Sequence, residues 1–145
     1  IAAILLRQKT ETLAETTPVT VVRGKNLRDV MGNKKYTLRF RAVNRDIFEA
    51  IKSGKKKVET RAATSRYGNM QIGDRVILVC GKDRFGKHVI GAEIFKTVAT
   101  LLKKYKIKEI NPNVESEKEL REVYYSFPGY REKIRKYGVI ALELK

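Results

Sequence analysis

The chain has 145 residues, 42% of them apolar, and its 32 Lys and Arg against 16 Asp and Glu give a net charge of +16. That length suits one domain around one core, and the gathering of aliphatic and aromatic residues into periodic runs excludes a disordered basic tail. The charge excess attracts polyanions, of which nucleic acid is the commonest; the plainer alternative is a surface tuned for solubility or heat tolerance.

Residues 1–33 differ in character from the rest. They hold Thr10, Thr12, Thr16, Thr17 and Pro18, then the basic stretch Arg23-Gly24-Lys25, with a strand expected at 19–22. Residues 1–6 are apolar but far too short to span a bilayer, and they lack the basic start of a signal peptide, so no membrane partner is expected. The segment reads as an N-terminal extension that packs on or trails from a domain at 34–145. It is also the feature that would support a protein partner.

The domain opens with a strand. Residues 36–41 alternate, placing Tyr36, Leu38 and Phe40 on one face and Arg39 and Arg41 on the other. Asn44 is a good N-cap for a following helix, Asp46 suits its first turn, and Ile47, Phe48 and Ile51 share its apolar face. Lys52 falls in the last turn, and Gly54 is placed as a left-handed C-cap. Tyr67-Gly68-Asn69 and Ile72-Gly73-Asp74 read as turns, Asp74 serving the turn amides. The second turn launches a buried strand at 75–80. A polar loop at 81–87 then joins it to an apolar, β-branched run at 88–97, making a hairpin with a long tip. Cys80 reads as a small core residue; with a single cysteine no internal disulfide forms, which suits a reducing, cytoplasmic compartment. His88 has no Cys or His at metal-ligand spacing, so neither metal nor other cofactor is expected.

Further on, Lys103, Lys104, Lys106 and Lys108 surround Tyr105, either as charge beside a stacking ring or as a solvated segment anchored by the tyrosine. Ser116 and Glu119 form a capping box for a helix with Leu120, Val123, Tyr124 and Phe127 on its apolar face. Pro128-Gly129 ends that helix, and residues 138–144 make a last strand. Tyr124, Phe127 and Tyr137 are read as core. Several strands interrupted by two helices, without regular alternation, predict an α+β fold.

The segment that carries chemistry is Gly54-Lys55-Lys56-Lys57-Val58-Glu59-Thr60-Arg61. Extended from Lys57, it puts Lys57, Glu59 and Arg61 on one face and Val58 and Thr60 on the other. Glu59 and Arg61 then pair directly, and Lys56 joins them from the turn after Gly54, where the backbone need not alternate. Arg61 offers a planar fork to a phosphate or base edge, Lys56 a point charge, and Glu59 an acceptor for an exocyclic amine. The ordinary alternative is a basic edge strand with a surface ion pair of little worth. Lys55 and Lys57, with Arg39 and Arg41, would extend a positive surface toward a nucleic-acid backbone, and Arg66 and Tyr67 would cover the cleft.

The pattern of Gly54, Lys56, Glu59 and Arg61 resembles the signature of the ASCH (activating-signal-cointegrator homology) family, within the PUA-like superfold. The strand and helix before it, the Ile72-Gly73-Asp74 turn into a buried strand, and the ending from Phe127-Pro128-Gly129-Tyr130 to Tyr137-Gly138-Val139 follow the family's order. The resemblance runs over residues 36–145 and leaves the extension aside. It implies a PUA-like small β-barrel of about five to six mostly antiparallel strands with flanking helices. It also implies a cleft, floored by Gly54, Lys56, Glu59 and Arg61, that binds RNA or a modified nucleotide; the residue reading adds Lys55, Lys57, Arg66 and Tyr67 to that ligand set. One branch of the family is similar to small amidohydrolases that deacetylate N4-acetylcytidine. There the motif Lys and Arg remain, a threonine stands where Glu59 stands here, and a further glutamate follows the long hairpin, a place for Glu109 or Glu115. Catalysis in this chain would fall to Lys56 and Glu59, and it ranks below binding.

Overall fold

The computed structural model describes Val21–Val22, Lys25–Asn26 and residues 31–145. The chain divides into two compact units, 1–31 and 32–145. In the first, strand β1 (Val21–Val22) pairs antiparallel with β2 (Lys25–Asn26). The rest of the strand expected at 19–22, and the other readings on residues 1–20, lie outside the described residues.

In the second unit five strands form one mixed, curled sheet, an α+β small barrel-like fold as expected from the sequence. The strands are β3 (Lys35–Phe40), β4 (Val58–Ala62), β5 (Arg75–Cys80), β6 (Asp83–Phe95) and β7 (Val139–Leu144), in the spatial order β3-β5-β6-β7-β4. The β3–β5 pairing is parallel and the other three are antiparallel. β3 and β4 are therefore the two edges of the sheet.

The alternation in β3 buries Leu38 fully, and Tyr36 and Phe40 pack around it. A 3-10 turn at Ala42–Asn44 leads into helix α1 (Arg45–Ser53). Asn44 occupies the N-cap position, but its side chain makes no capping bond there, because its backbone (φ −106°, ψ 22°) carries on from the 3-10 turn instead of taking the extended conformation of a cap. Phe48 and Ile51 are buried, and full burial of such a side chain contributes about 1.5–3 kcal/mol. Gly54 ends the helix at φ 86°, a left-handed conformation that costs glycine nothing.

The hairpin differs from expectation. β6 begins at Asp83, so the connection from Cys80 is the two residues Gly81 and Lys82. Gly81 takes φ 60°, which closes the tight turn, and the register runs unbroken from Cys80↔Asp83 to Arg75↔His88. Phe85 is drawn inward against Phe48, ring centroids 4.9 Å apart, which holds in a strand what its polar neighbours suggested was loop.

The described residues contain five α-helices rather than two: α1, α2 (Val98–Lys104), α3 (Ile107–Ile110), α4 (Glu117–Tyr125) and α5 (Tyr130–Tyr137). Thr97 caps α2 through Thr100 N at 3.1 Å. Ser116 caps α4 through Glu119 N, while the Glu119 carboxylate reaches back to Glu115 N rather than to Ser116. Pro128-Gly129 ends α4 and at once starts α5. Tyr105 is buried, and its hydroxyl donates to Glu143 at 2.5 Å, so it anchors the lysine-rich segment instead of stacking in solvent. That acceptor and burial together raise its pKa well above the ordinary value, burial being the larger cause. Tyr137, expected in the core, is exposed, and Cys80 is a buried free thiol as expected.

One apolar cluster joins the α2–α5 helices to Val58, Ala62, Val139 and Ala141; the other joins α1 to Leu38, Val76, Leu78, Ile140 and Leu142. Asp74, 1% exposed, accepts from Lys34 N at 2.9 Å and Gln71 N at 2.8 Å and ties the start of β3 to the turn before β5. No helix of the described residues is long and apolar enough to cross a membrane.

Candidate functional site

β4 is short, and its residues alternate between two environments. Val58 and Ala62 face the helical cluster, so Glu59 and Arg61 face the other way, as the spacing predicts. Glu59 Oε2 accepts from Arg61 Nε at 3.2 Å. Lys56 lies in the turn after Gly54, its amide bonded to Ala50 O at 2.9 Å, and that bond aims its side chain back at the strand. Its ammonium donates to Glu59 Oε1 at 3.1 Å and to the Val58 carbonyl. Lys56 and Glu59 are 4% and 7% exposed. The sequence thus predicted both contacts, including the route by which Lys56 reaches in.

Burial alone would raise the Glu59 pKa, but the cations of Lys56 and Arg61 outweigh it and hold the carboxyl below its ordinary range. For Arg61, burial works against the charge, while Glu59 and then the hydroxyls of Tyr67 and Tyr130 raise the pKa, so the guanidinium stays charged. Arg61 Nη2 also donates to Arg39 O at 3.3 Å, linking the two edge strands across the opening of the sheet. Its guanidinium lies 5.0 Å from the Phe40 ring centroid and 5.7 Å from that of Tyr67.

Around these residues is a cleft of about 410 Å³, within the roughly 300–1,000 Å³ of small-molecule sites. Its cations are Arg39, Arg41, Lys56, Arg61, Arg66 and Lys133; among the described residues that line it, Glu59 is the one carboxylate. Phe40, Tyr67, Tyr124, Phe127 and Tyr130 supply the aromatic surface. Thr60 points to the face opposite Glu59, as expected, yet it also lines the cleft, because the cleft passes over the open edge of β4. Its hydroxyl shares a 2.5 Å hydrogen bond with Tyr124, whose pKa is raised, chiefly by burial.

Arg66 and Tyr67 line the cleft, the Arg66 guanidinium 5.5 Å from the Tyr67 ring. The turn that carries them closes tightly: a Cβ on Gly68 would come within 2.8 Å of Ala63 O. Arg39 and Arg41 line the cleft too, Arg41 lying 4.9 Å from the Phe127 ring. Gly54 shapes the turn without lining the cleft, and Lys55 and Lys57 are exposed outside it. Glu109 and Glu115 are also outside it: Glu109 accepts from Lys106 N, and Glu115 pairs with Lys108. Among the described residues no group of three or more His, Cys, Asp or Glu is arranged to hold a metal ion.

The sequence reading missed Tyr130 and Lys133; Tyr124 is buried in the core as expected and also lines the cleft, while Phe127, expected in the core, is half-buried on the cleft wall. Tyr130 accepts from Ala62 N at 3.4 Å. The signal for it was the Phe127-Pro128-Gly129-Tyr130 turn, already noted as part of the family pattern but taken for an ending.

No family model and no curated protein matches the chain. Solved structures do. The hypothetical protein PH0355 from Pyrococcus is 31% identical, with a TM-score of 0.66, over 77% of this chain and 97% of its own. The chain belongs to the family of PH0355. A second structure, protein PF0455 from Pyrococcus furiosus, is 27% identical, with a TM-score of 0.61, over 77% of this chain and 96% of its own. The PH0355 family thus shares the curled sheet on which the cleft is built.

Proposed function

We propose that residues 34–145 form an ASCH-type, PUA-like domain that binds RNA or a modified nucleotide in the cleft floored by Lys56, Glu59 and Arg61. One observation carries the reading: the three motif side chains converge, at 3.1 and 3.2 Å, on an open cleft with aromatic walls and an excess of cations. Cations take a phosphate, ring faces take a base, and the Glu59 carboxylate accepts from an exocyclic amine. The test is fluorescence anisotropy with labelled single-stranded RNA between 50 and 200 mM salt, in parallel with free nucleosides. Affinity should fall steeply with salt, and Arg61→Ala should weaken it about tenfold or more. No binding at low salt, or an Arg61→Ala variant as tight as the parent, defeats the reading.

A second reading, hydrolysis of N4-acetylcytidine or a related acylated nucleoside, draws on the Thr60 hydroxyl lining the same cleft as Lys56. The geometry weighs against it. The Lys56 ammonium is committed to Glu59 and the Val58 carbonyl, and a carboxylate held between two cations is a weak base. Chromatography for released cytidine decides it; turnover no greater than that of Lys56→Ala ends it.

A further inference from the structure

We propose that the open edge of β4 at Thr60 is the reading element of this cleft, its backbone N–H and C=O forming a donor–acceptor pair that takes the matching edge of a nucleobase. This rests on the nucleotide reading above and specifies which part of the ligand is recognised.

β4 pairs with β7 on one side only. Two bonds fix the phase of that pairing: Leu144 N donates to Lys57 O at 2.8 Å, and Ala63 N donates to Gly138 O at 2.9 Å. Main-chain groups alternate along an antiparallel strand, so positions 57, 59, 61 and 63 direct theirs to β7, and Val58, Thr60 and Ala62 turn theirs outward. Two of the outward positions have one group engaged each: the Lys56 ammonium holds the Val58 carbonyl, and the Ala62 amide donates to the Tyr130 hydroxyl. Among the described residues nothing bonds the N–H or C=O of Thr60. The cleft is lined by Glu59 and Arg61 from one face of the strand and by Thr60, with Tyr124 beside it, from the other. A space lined from both faces crosses the edge between them, and that edge is where the Thr60 pair points.

The ligand chemistry follows from the same plugs. A peptide strand adding to β4 would need the Val58 carbonyl and the Ala62 amide as well as Thr60, and both are engaged. One outward position with both groups open, with ring faces and the Arg61 plane around it, suits a planar heterocycle whose neighbouring donor and acceptor lie on one edge, as the amide or amidine edges of the bases do.

The experiment titrates the full, 15N-labelled chain with cytidine, uridine, adenosine and guanosine while amide shifts are followed. The tightest binder is then compared with its deaza analogue, in which the ring nitrogen of the pairing edge becomes C–H. The expected result is a Thr60 amide shift larger than those of Val58 and Ala62, with about tenfold weaker binding of the analogue. Because the protein is unaltered, a folding defect cannot imitate that loss. Binding that leaves the Thr60 amide unmoved, shifts Val58 and Ala62 equally, or tolerates the analogue overturns this inference and leaves the nucleotide reading standing. No binding by any nucleoside overturns this inference, and only if labelled RNA also fails to bind at low salt does the nucleotide reading fall with it.

Discussion

The chain holds two kinds of ion pair. Lys104–Glu93, at 2.7 Å, has both side chains about half exposed, 49% and 50%. Lys56–Glu59–Arg61 has side chains exposed by 3%, 9% and 15%. Their distances are similar, but water separates the two cases. An exposed pair exchanges one set of good contacts for another and gains little. A buried set must first lose its hydration, and the attraction among the charges repays that only when the geometry is complete. A protein that kept such a set for stability alone would do as well with apolar side chains. The triad is therefore better understood as charge held in position on the wall of a cleft.

Glu59 gives that comparison its largest expected effect. Glu59→Gln keeps the shape but leaves Lys56 and Arg61 buried without their counter-charge, and removal of one partner from such a set costs about 3–5 kcal/mol. Urea unfolding at neutral pH measures it. The pH dependence sharpens the point. The folded Glu59 carboxyl has a pKa below its unfolded value of about 4.5. The stability it lends is therefore fully present above that unfolded value and is lost as pH falls through the lower, folded one. The gap between the parent and Glu59→Gln should be constant from pH 7 to about 5 and narrow progressively below 4.5. A loss no larger than that from a surface pair, or a gap that does not close in acid, would put the triad in the same class as the surface pairs.

The triad was legible in the sequence because its rule is local. Period-two alternation put Glu59 beside Arg61, and the glycine turn let Lys56 escape that alternation. β3, α1, β5 and β7 were legible for the same reason: each is a periodic run bounded by glycine or a polar cap. The far wall of the cleft was not. Tyr124 and Tyr130 stand 64 and 68 residues from the β4 positions they bond, and no local pattern encodes that proximity. Helix α5 went unseen because it buries one apolar side chain, Ile134, beneath a largely charged surface, too little to set up a visible helical period. The 81–87 segment was misjudged because most of its polar residues face solvent in a strand, with Phe85 its one apolar side chain turned in to pack on Phe48.

The smallest expected effect completes the comparison. Lys104→Met removes the pair with Glu93 and the ammonium 5.5 Å from the Tyr105 ring. The Lys104 side chain is half exposed in both interactions, so the loss should stay under about 1 kcal/mol. Salt separates the two classes more sharply than size does. In 1 M salt the screening length falls to about 3 Å, so most of the small Lys104→Met difference should vanish. Glu59 is screened by protein rather than by solvent, and the Glu59→Gln difference should persist at the same salt. Unfolding curves for both variants at low and high salt give the answer in one set of measurements. If the Glu59→Gln gap collapses with salt as the Lys104→Met gap does, water and ions reach the triad freely, and its charges are not held apart from solvent for a ligand to meet.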